Sequence, residues 1–142
     1  MKVSDVCGEN DFVGTALAGD SIEKVISAMG ENKQTRTVFV VDGEGRLIGA
    51  ITIQDIFEKI FDEMKPRITK WFEKKKGMTA TDIMKPVIAV SPDDDLEDAL
   101  RAAAAAKLQD LPVCRGGKVV AALDCFELLY GLVEKGSKYF RP

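Results

Sequence analysis

Histidine is absent from this sequence, and three common kinds of site are excluded with it. Nucleophiles activated by an imidazole base, zinc sites with histidine ligands and histidine pH switches all need this side chain. Cysteine is scarce: Cys7, Cys114 and Cys125 are too few and too widely spaced for a disulfide framework or a CxxC metal site. We therefore expect no metal site, and we interpret each cysteine as a small buried side chain with a reduced thiol.

Long apolar runs and an excess of positive charge are missing as well. No stretch approaches the roughly 18 apolar residues of a membrane-spanning helix, and residues 1–11 lack the apolar core of a signal peptide. With 20 basic and 23 acidic residues the net charge is -3, whereas a protein that binds nucleic acid over its whole surface is strongly basic. These features predict a cytoplasmic protein with no membrane span, and they disfavour nucleic acid as a partner.

A pattern of apolar residues occurs twice along the chain and divides it into two similar halves. In each half, apolar side chains at positions i, i+3, i+4, i+7 and i+8 form one face of a helix. The two sets are Ile53, Ile56, Phe57, Ile60 and Phe61, and Cys125, Leu128, Leu129, Leu132 and Val133. Before each helix, two apolar runs separated by a glycine-containing turn predict a hairpin, with first strands at 38–41 and 111–114.

Each half also begins with a strand and a helix. Candidate strands at 12–17 and 87–90 precede helices that Asp20-Ser21 and the acidic run 93–95 can cap. Each half therefore has the order strand, helix, strand, strand, helix. This order predicts an α+β (α/β-like) fold made of two β-α-β-β-α repeats, which would bury their apolar faces by packing together.

The repeats set the expected domain boundaries. We place repeat 1 at 1–64, a basic connector at 65–78, repeat 2 at 79–136 and a tail at 137–142. In the connector, Pro66 ends or kinks the preceding helix, and Gly77 closes a second short helical stretch. We interpret the connector as solvated, with two docked aromatic side chains, although its basic residues also suit nucleic acid, an anionic membrane or an acidic partner.

The segment Gly49–Ile56, between the second hairpin strand and the helix of repeat 1, has features of a site for a sugar or an anion. Thr52 is at the helix start, where backbone N–H groups and the helix dipole favour phosphate. Asp55, one turn further, can accept hydrogen bonds from ribose hydroxyls, and Gly49 lets a ligand approach the backbone. The alternative is that Thr52 only caps the helix and Asp55 only complements its dipole.

Placed in a duplicated unit, this motif resembles that of a tandem pair of CBS (cystathionine-β-synthase) domains, a Bateman module, over residues 1 to about 136. The segment 82–92 resembles the opening strand of a CBS repeat, and 111–113 resembles its second strand. The resemblance implies two repeats related by a pseudo-two-fold axis, binding of AMP, ADP, ATP or S-adenosylmethionine between them, and homodimers formed through the CBS helices.

The resemblance also implies which residues bind the ligand. Thr52 would bind phosphate or ribose, Asp55 the ribose hydroxyls, and Val87 and Ile88 the adenine by sandwiching it and by backbone hydrogen bonds. Ala50 and Pro112 would line the base pocket, and Gln109 and Asp110 would complete this first site. Asp110 stands where many family members carry a basic residue, so it favours the cationic S-adenosylmethionine or a nucleotide with Mg²⁺.

A second, weaker site would use Thr15 and Arg36 with the corresponding junction of repeat 2. There, Asp124 and Glu127 replace the expected Thr and Asp, and Ala121 replaces glycine. Carboxylates are poor neighbours for phosphate, and Arg36 could instead close this site by pairing with Asp124 or Glu127.

Two functions from different classes follow. The first is a non-catalytic sensor whose adenosine ligand changes how a separate regulated protein is recognised; no cofactor is required. The second is a ligand-free dimeric interaction or scaffold module. An enzyme is not expected, the remaining catalytic alternative being a carboxylate-only hydrolase that uses Asp93 or Asp95. The expected partners are an adenosine-type small molecule, a second copy of the chain and an unknown regulated protein.

Overall fold

The computed structural model describes residues 1–7, 14–31, 36–63, 67–74 and 77–136, and shows an α+β fold. A 3-10 turn at Val3–Asp5 precedes the named elements. The elements are β1 (Thr15–Leu17), α1 (Ile22–Glu31), β2 (Val38–Val41), β3 (Leu47–Ile51), α2 (Ile53–Glu63), α3 (Ile68–Lys74), α4 (Ala80–Ile83), α5 (Leu96–Ala106), β4 (Asp110–Arg115), β5 (Lys118–Asp124) and α6 (Cys125–Gly136). The predicted tail at 137–142 lies outside the described residues.

The chain forms two compact units, each of which contains most of one repeat and the opening segment of the other. The middle unit is Gly14–Pro86, and the terminal unit combines Met1–Val13 with Val87–Pro142. In the middle unit, the Ala80 backbone N–H at the start of α4 donates to the backbone carbonyl of Asp20 at 2.9 Å. In the terminal unit, the backbone N–H of Val3 donates to the backbone carbonyl of Asp94 at 2.9 Å. The predicted repeat boundaries follow the order of the sequence and do not describe these compact units, so they stay a prediction.

A three-stranded sheet organises the middle unit. Its strand order is β1-β2-β3, with β1 and β2 parallel and β2 and β3 antiparallel. All four side chains of β2 are buried, as expected for a central strand. The connector contributes to this core, because Trp71 of α3 is only 2% exposed and contacts the half-buried Phe72 edge to face. The two docked aromatics predicted for the connector are confirmed.

The terminal unit contains the antiparallel hairpin of β4 and β5, and here one predicted strand is wrong. Residues 87–90 form no regular strand; Val90 alone makes an isolated parallel bridge to Val113. Extending this pairing by two residues would require the backbone N of Pro112 to donate to Ile88, and proline has no N–H. In the middle unit Phe39 holds the equivalent position, and its N–H donates to Gly14 at 2.9 Å.

The predicted helix starts are confirmed. The Ser21 hydroxyl accepts from the backbone N–H of Lys24 at 3.2 Å, and the Asp95 carboxylate accepts from that of Glu97 at 3.2 Å. The acidic run before α5 therefore includes the helix cap. No helix in the described ranges is both long enough and apolar enough to span a bilayer.

Candidate functional site

The start of α2 holds two of the predicted ligand-binding residues in a reciprocal cap. The Asp55 carboxylate oxygen Oδ2 accepts from the Thr52 backbone N–H at 2.7 Å and from the Thr52 hydroxyl at 2.8 Å. The Thr52 hydroxyl in turn accepts from the Asp55 backbone N–H at 3.2 Å. These bonds fix the carboxylate at the helix N-terminus, so the capping role expected as the alternative is present in the folded chain.

A residue that the sequence analysis did not select completes this cluster. The Lys85 ammonium lies 3.4 Å from the other carboxylate oxygen of Asp55, Oδ1. The backbone of Lys85 forms an antiparallel bridge with Ala50, and both N–H to O=C distances are 3.0 Å. No local pattern identifies Lys85, because the bridge joins segments far apart in sequence.

Gly49 has a different role from the one expected. A Cβ atom at this position would lie 2.7 Å from Met84 Sδ and 3.0 Å from the Lys85 carbonyl oxygen. The backbone next to Gly49 is therefore approached by the chain's own segment Met84-Lys85 and not left open for a ligand. Ala50, predicted to line the base pocket, is completely buried.

In the terminal unit, the segment predicted to hold adenine has no regular secondary structure and is partly open to solvent. Ile88 is 70% exposed, whereas Val87 is half-buried. Because Pro112 cannot donate to the Ile88 carbonyl, this oxygen is left out of the parallel pairing that Val90 makes. The segment thus presents an exposed apolar side chain, Ile88, next to a carbonyl that takes no part in this pairing.

The other predicted residues of the terminal unit surround the junction of β5 and α6. The Gln109 carbonyl accepts from the Cys125 backbone N–H at 2.8 Å, and the Asp124 carboxylate caps α6 by accepting from the Phe126 N–H at 2.9 Å. Asp110, which is 5% exposed, is the cross-strand partner of Asp124. Burial, together with the charges of Asp110 and Asp124, raises the pKa of the Cys125 thiol to about 11.

The comparisons with known proteins agree with this architecture. The model of the CBS domain family matches residues 3–62 and 80–133, which is more than half of the chain. The chain belongs to the CBS domain family. Among curated proteins, this CBS chain is 32% identical over 144 residues to MJ1404 of Methanocaldococcus jannaschii, an uncharacterized protein. The match covers 96% of this chain and 33% of MJ1404, so the CBS chain spans about a third of that relative's length.

Solved structures of CBS proteins have the same fold. CBSX2 of Arabidopsis thaliana, a CBS-pair protein, matches with a TM-score of 0.79 and 22% identity, over 96% of each chain. CBSX2 in complex with AMP matches with a TM-score of 0.74 and 23% identity, over 95% of this chain and 98% of the other. The CBS domain-containing protein TM0935 of Thermotoga maritima matches with a TM-score of 0.74 and 28% identity, over 94% of this chain and 95% of the other.

The residues predicted for the two CBS ligand sites are distributed over the two units. For the weaker site, Thr15 pairs with Phe39 in the sheet, and the Arg36 guanidinium donates to the Met29 carbonyl at 2.7 Å. Arg36 thereby supports the last turn of α1. Its pairing with Asp124 or Glu127 stays a prediction, as does the joint use of residues from both repeats in either site.

Proposed function

We propose that this CBS chain is a non-catalytic regulatory module that binds an adenosine ligand with residues of both repeats. The candidate ligands are AMP, ADP, ATP and S-adenosylmethionine, with or without Mg²⁺. A separate protein, in the cytoplasm, would respond to the occupied state because the ligand has different affinities for two arrangements of the module. Family membership and the fold shared with CBSX2, which was solved with AMP, support this proposal.

The fixed carboxylate of Asp55 is the observation that carries the proposal. Thr52 holds Oδ2 with two hydrogen bonds, so Oδ1 is the oxygen that a ribose hydroxyl can reach. The side chain is 12% exposed, which favours a hydrogen bond to a ligand over one to bulk water. The segment at 86–89, with its exposed Ile88, would supply an apolar surface suited to a base.

A thermal-shift and calorimetric titration of the wild-type chain with the four ligands tests the proposal. A ligand at about 100 times its Kd stabilises by roughly 2.7 kcal/mol, or about 6 to 10 °C for a chain of this size. The Asp55→Asn variant is expected to lose this shift, because its amide can no longer accept from both Thr52 and a ribose hydroxyl.

Asp82→Asn is a matched control for the structural part of this change. Asp82 accepts from the Thr79 backbone N–H at 2.9 Å and from the Thr79 hydroxyl at 3.3 Å, as Asp55 does from Thr52. Its loss weakens a helix cap of the same kind at a place to which no ligand is assigned. Ligand binding that survives in Asp82→Asn and is lost in Asp55→Asn supports the proposal. Equal loss in both variants contradicts it, as does a flat response of the wild-type chain.

Exposed apolar side chains favour a second candidate function, a dimeric interaction module. The buried residues of α2 include Ile56 and Ile60, but other members of the predicted apolar face remain exposed. The large apolar side chains exposed on α2 and α6 are Ile53, Phe57, Phe61, Phe126, Leu129, Tyr130 and Val133. Such faces are typical of helix surfaces that pack against another chain, and we propose that they form the homodimer.

Sedimentation velocity tests the proposed dimer, and the response to nucleotides then separates the two candidate functions. Phe61→Glu combined with Val133→Glu is expected to convert a dimer to a monomer, because each charge would be buried in an apolar interface. Ile88→Ser removes an equally exposed apolar side chain outside these helices, so it should weaken adenosine binding and leave the dimer intact. A stable dimer with no response to any nucleotide would favour the scaffold function.

A further inference from the structure

The geometry points to Lys85 as the residue that makes this site selective for a phosphorylated adenosine ligand over adenosine or S-adenosylmethionine. This inference rests on the proposed function, and it names the ligand class of the same site. It assigns to Lys85 a role in specificity. In the free chain the ammonium pairs with the Asp55 carboxylate, and when a ribose hydroxyl binds to Asp55 the ammonium pairs with the ligand's phosphate instead.

Lys85 is held in place by its backbone. Its N–H and C=O both pair with Ala50, two residues before Thr52, at 3.0 Å. This bridge fixes the Lys85 Cα beside the start of α2, and the side chain extends to Asp55, 3.4 Å away. The lysine side chain is 38% exposed, so its ammonium faces solvent as well as the carboxylate.

The hydrogen bonds of Asp55 show why Lys85 and a ribose compete. Oδ2 already accepts from both the backbone and the hydroxyl of Thr52. Oδ1 is the atom nearest to the Lys85 ammonium. A ribose hydroxyl that donates to Oδ1 displaces or weakens this ion pair, and the exchange is unfavourable if the ammonium is left with no anionic partner.

A phosphate on the same ligand supplies that partner. Lysine binds phosphate as a compact point charge, and the N-terminus of α2, which begins after Thr52, adds a partial positive charge. A phosphorylated ligand therefore replaces the Lys85–Asp55 pair with two interactions, whereas neutral adenosine replaces it with one. S-adenosylmethionine places a positive sulfonium near the ammonium, which is repulsive.

Calorimetric titration with adenosine, AMP and S-adenosylmethionine, in buffer containing EDTA, tests the inference. Wild-type protein should bind AMP at least about tenfold more tightly than adenosine, since a charge-assisted bond is added. Lys85→Met keeps most of the side-chain volume and should weaken AMP binding about 10- to 50-fold. In this variant, adenosine binding should be unchanged or tighter, and S-adenosylmethionine binding tighter. Lys85→Arg should retain the preference for AMP.

Lys70→Met, on the exposed side of α3, controls for the loss of one positive charge from the middle unit. An unchanged ratio of AMP to adenosine affinity in Lys85→Met overturns the role of Lys85. If AMP binding still depends on Asp55 in that case, the proposed function itself holds. Failure of wild-type protein to bind AMP overturns this inference. Failure to bind any of AMP, ADP, ATP and S-adenosylmethionine overturns the proposed function as well.

Discussion

The junction of β3 with α2 and the junction of β5 with α6 share one backbone plan but differ in local charge. In each, a hairpin strand leads directly into a helix whose first turn is capped by a side chain, Thr52 in one and Asp124 in the other. At the first junction, Asp55 is accompanied by the ammonium of Lys85. At the second, Asp124 lies opposite the buried Asp110. The same backbone arrangement therefore holds a carboxylate–ammonium pair at one junction and two neighbouring carboxylates at the other.

The two junctions also differ in how they fill the space beside the second hairpin strand. In the middle unit, Gly49 has no side chain and Met84 lies against it. In the terminal unit, Ala121 has a methyl group, and the smaller Cys7 lies in the same apolar cluster, with its thiol 3.5 Å from the Ala122 carbonyl oxygen. A larger residue on the strand is thus accompanied by a smaller residue on the opening segment, as close packing requires.

The largest effect is expected from introducing a methyl group at the first junction. Gly49→Ala should destabilise folding by about 1 to 3 kcal/mol, because the new Cβ would meet Met84 and the Lys85 carbonyl. Urea denaturation measures this change. Gly43→Ala, where a Cβ meets nothing within 4 Å, is the control. Adding Met84→Cys, which copies the terminal unit, should restore part of the stability; a Gly49→Ala variant as stable as wild type would contradict this account.

Removing the caps of α2 and α6 should lower the free energy of unfolding by unequal amounts. Thr52→Ala loses the reciprocal bonds with Asp55 and should cost about 1 kcal/mol of unfolding free energy. Asp124→Ala also loses a cap, but it relieves repulsion from Asp110 on the neighbouring strand, so its net cost should be about 0.5 kcal/mol or less. Chemical denaturation of both variants provides the comparison, and equal costs would show that the acidic pair is not repulsive.

The acidic residues around the junction of β5 with α6 should also slow the alkylation of the Cys125 thiol. Burial, Asp110 and Asp124 raise the pKa of Cys125 from 9.0 to about 11, so its reaction with iodoacetamide should stay slow until the pH approaches 11. Asp124→Asn should lower this pKa and accelerate the reaction at pH 9, as measured by peptide mass spectrometry. Reaction of Cys125 at the rate of an ordinary thiol would contradict the assignment.

The same pKa sets the direction of a pH effect on stability. The unfolded thiol ionises near pH 9.0, whereas the folded chain retains the proton until about pH 11. The folded state therefore binds more protons within this window, and its stability falls as the pH rises through it. The Cys125→Val variant should lack this part of the pH dependence.

The smallest effect on stability is expected at Pro112. Pro112→Val supplies the N–H that Phe39 has in the middle unit, which allows a bond to the Ile88 carbonyl. The added hydrogen bond stabilises the fold, whereas losing proline makes the unfolded chain more flexible and destabilises it by a similar amount. The free energy of unfolding should therefore change by less than about 0.5 kcal/mol. Amide hydrogen exchange should show a protected N–H at residue 112, and adenosine binding should weaken because the Ile88 carbonyl is occupied. A residue 112 N–H that exchanges as fast as an exposed amide, together with unchanged adenosine binding, would contradict this account of the second repeat.

The sequence predicted the features that depend on local spacing. Ser21 and Asp95 cap their helices because a cap is a short-range interaction, and Trp71 is buried because its helix has a distinct apolar side. The strand at 87–90 was predicted from its apolar run alone. That run is unpaired except at Val90 because of a proline on another strand, which no local pattern reveals.

By itself, the sequence determined two repeats of one α+β plan, the helix that begins after Thr52 and the acidic character of the second junction. These follow from periodicity, capping preferences and residue type, which act within one turn or one strand. Only the tertiary structure decided that Lys85 reaches Asp55, that Met84 takes the space beside Gly49 and that the opening segments exchange between units. Each of these joins residues distant in sequence, and their approach depends on packing of the whole unit.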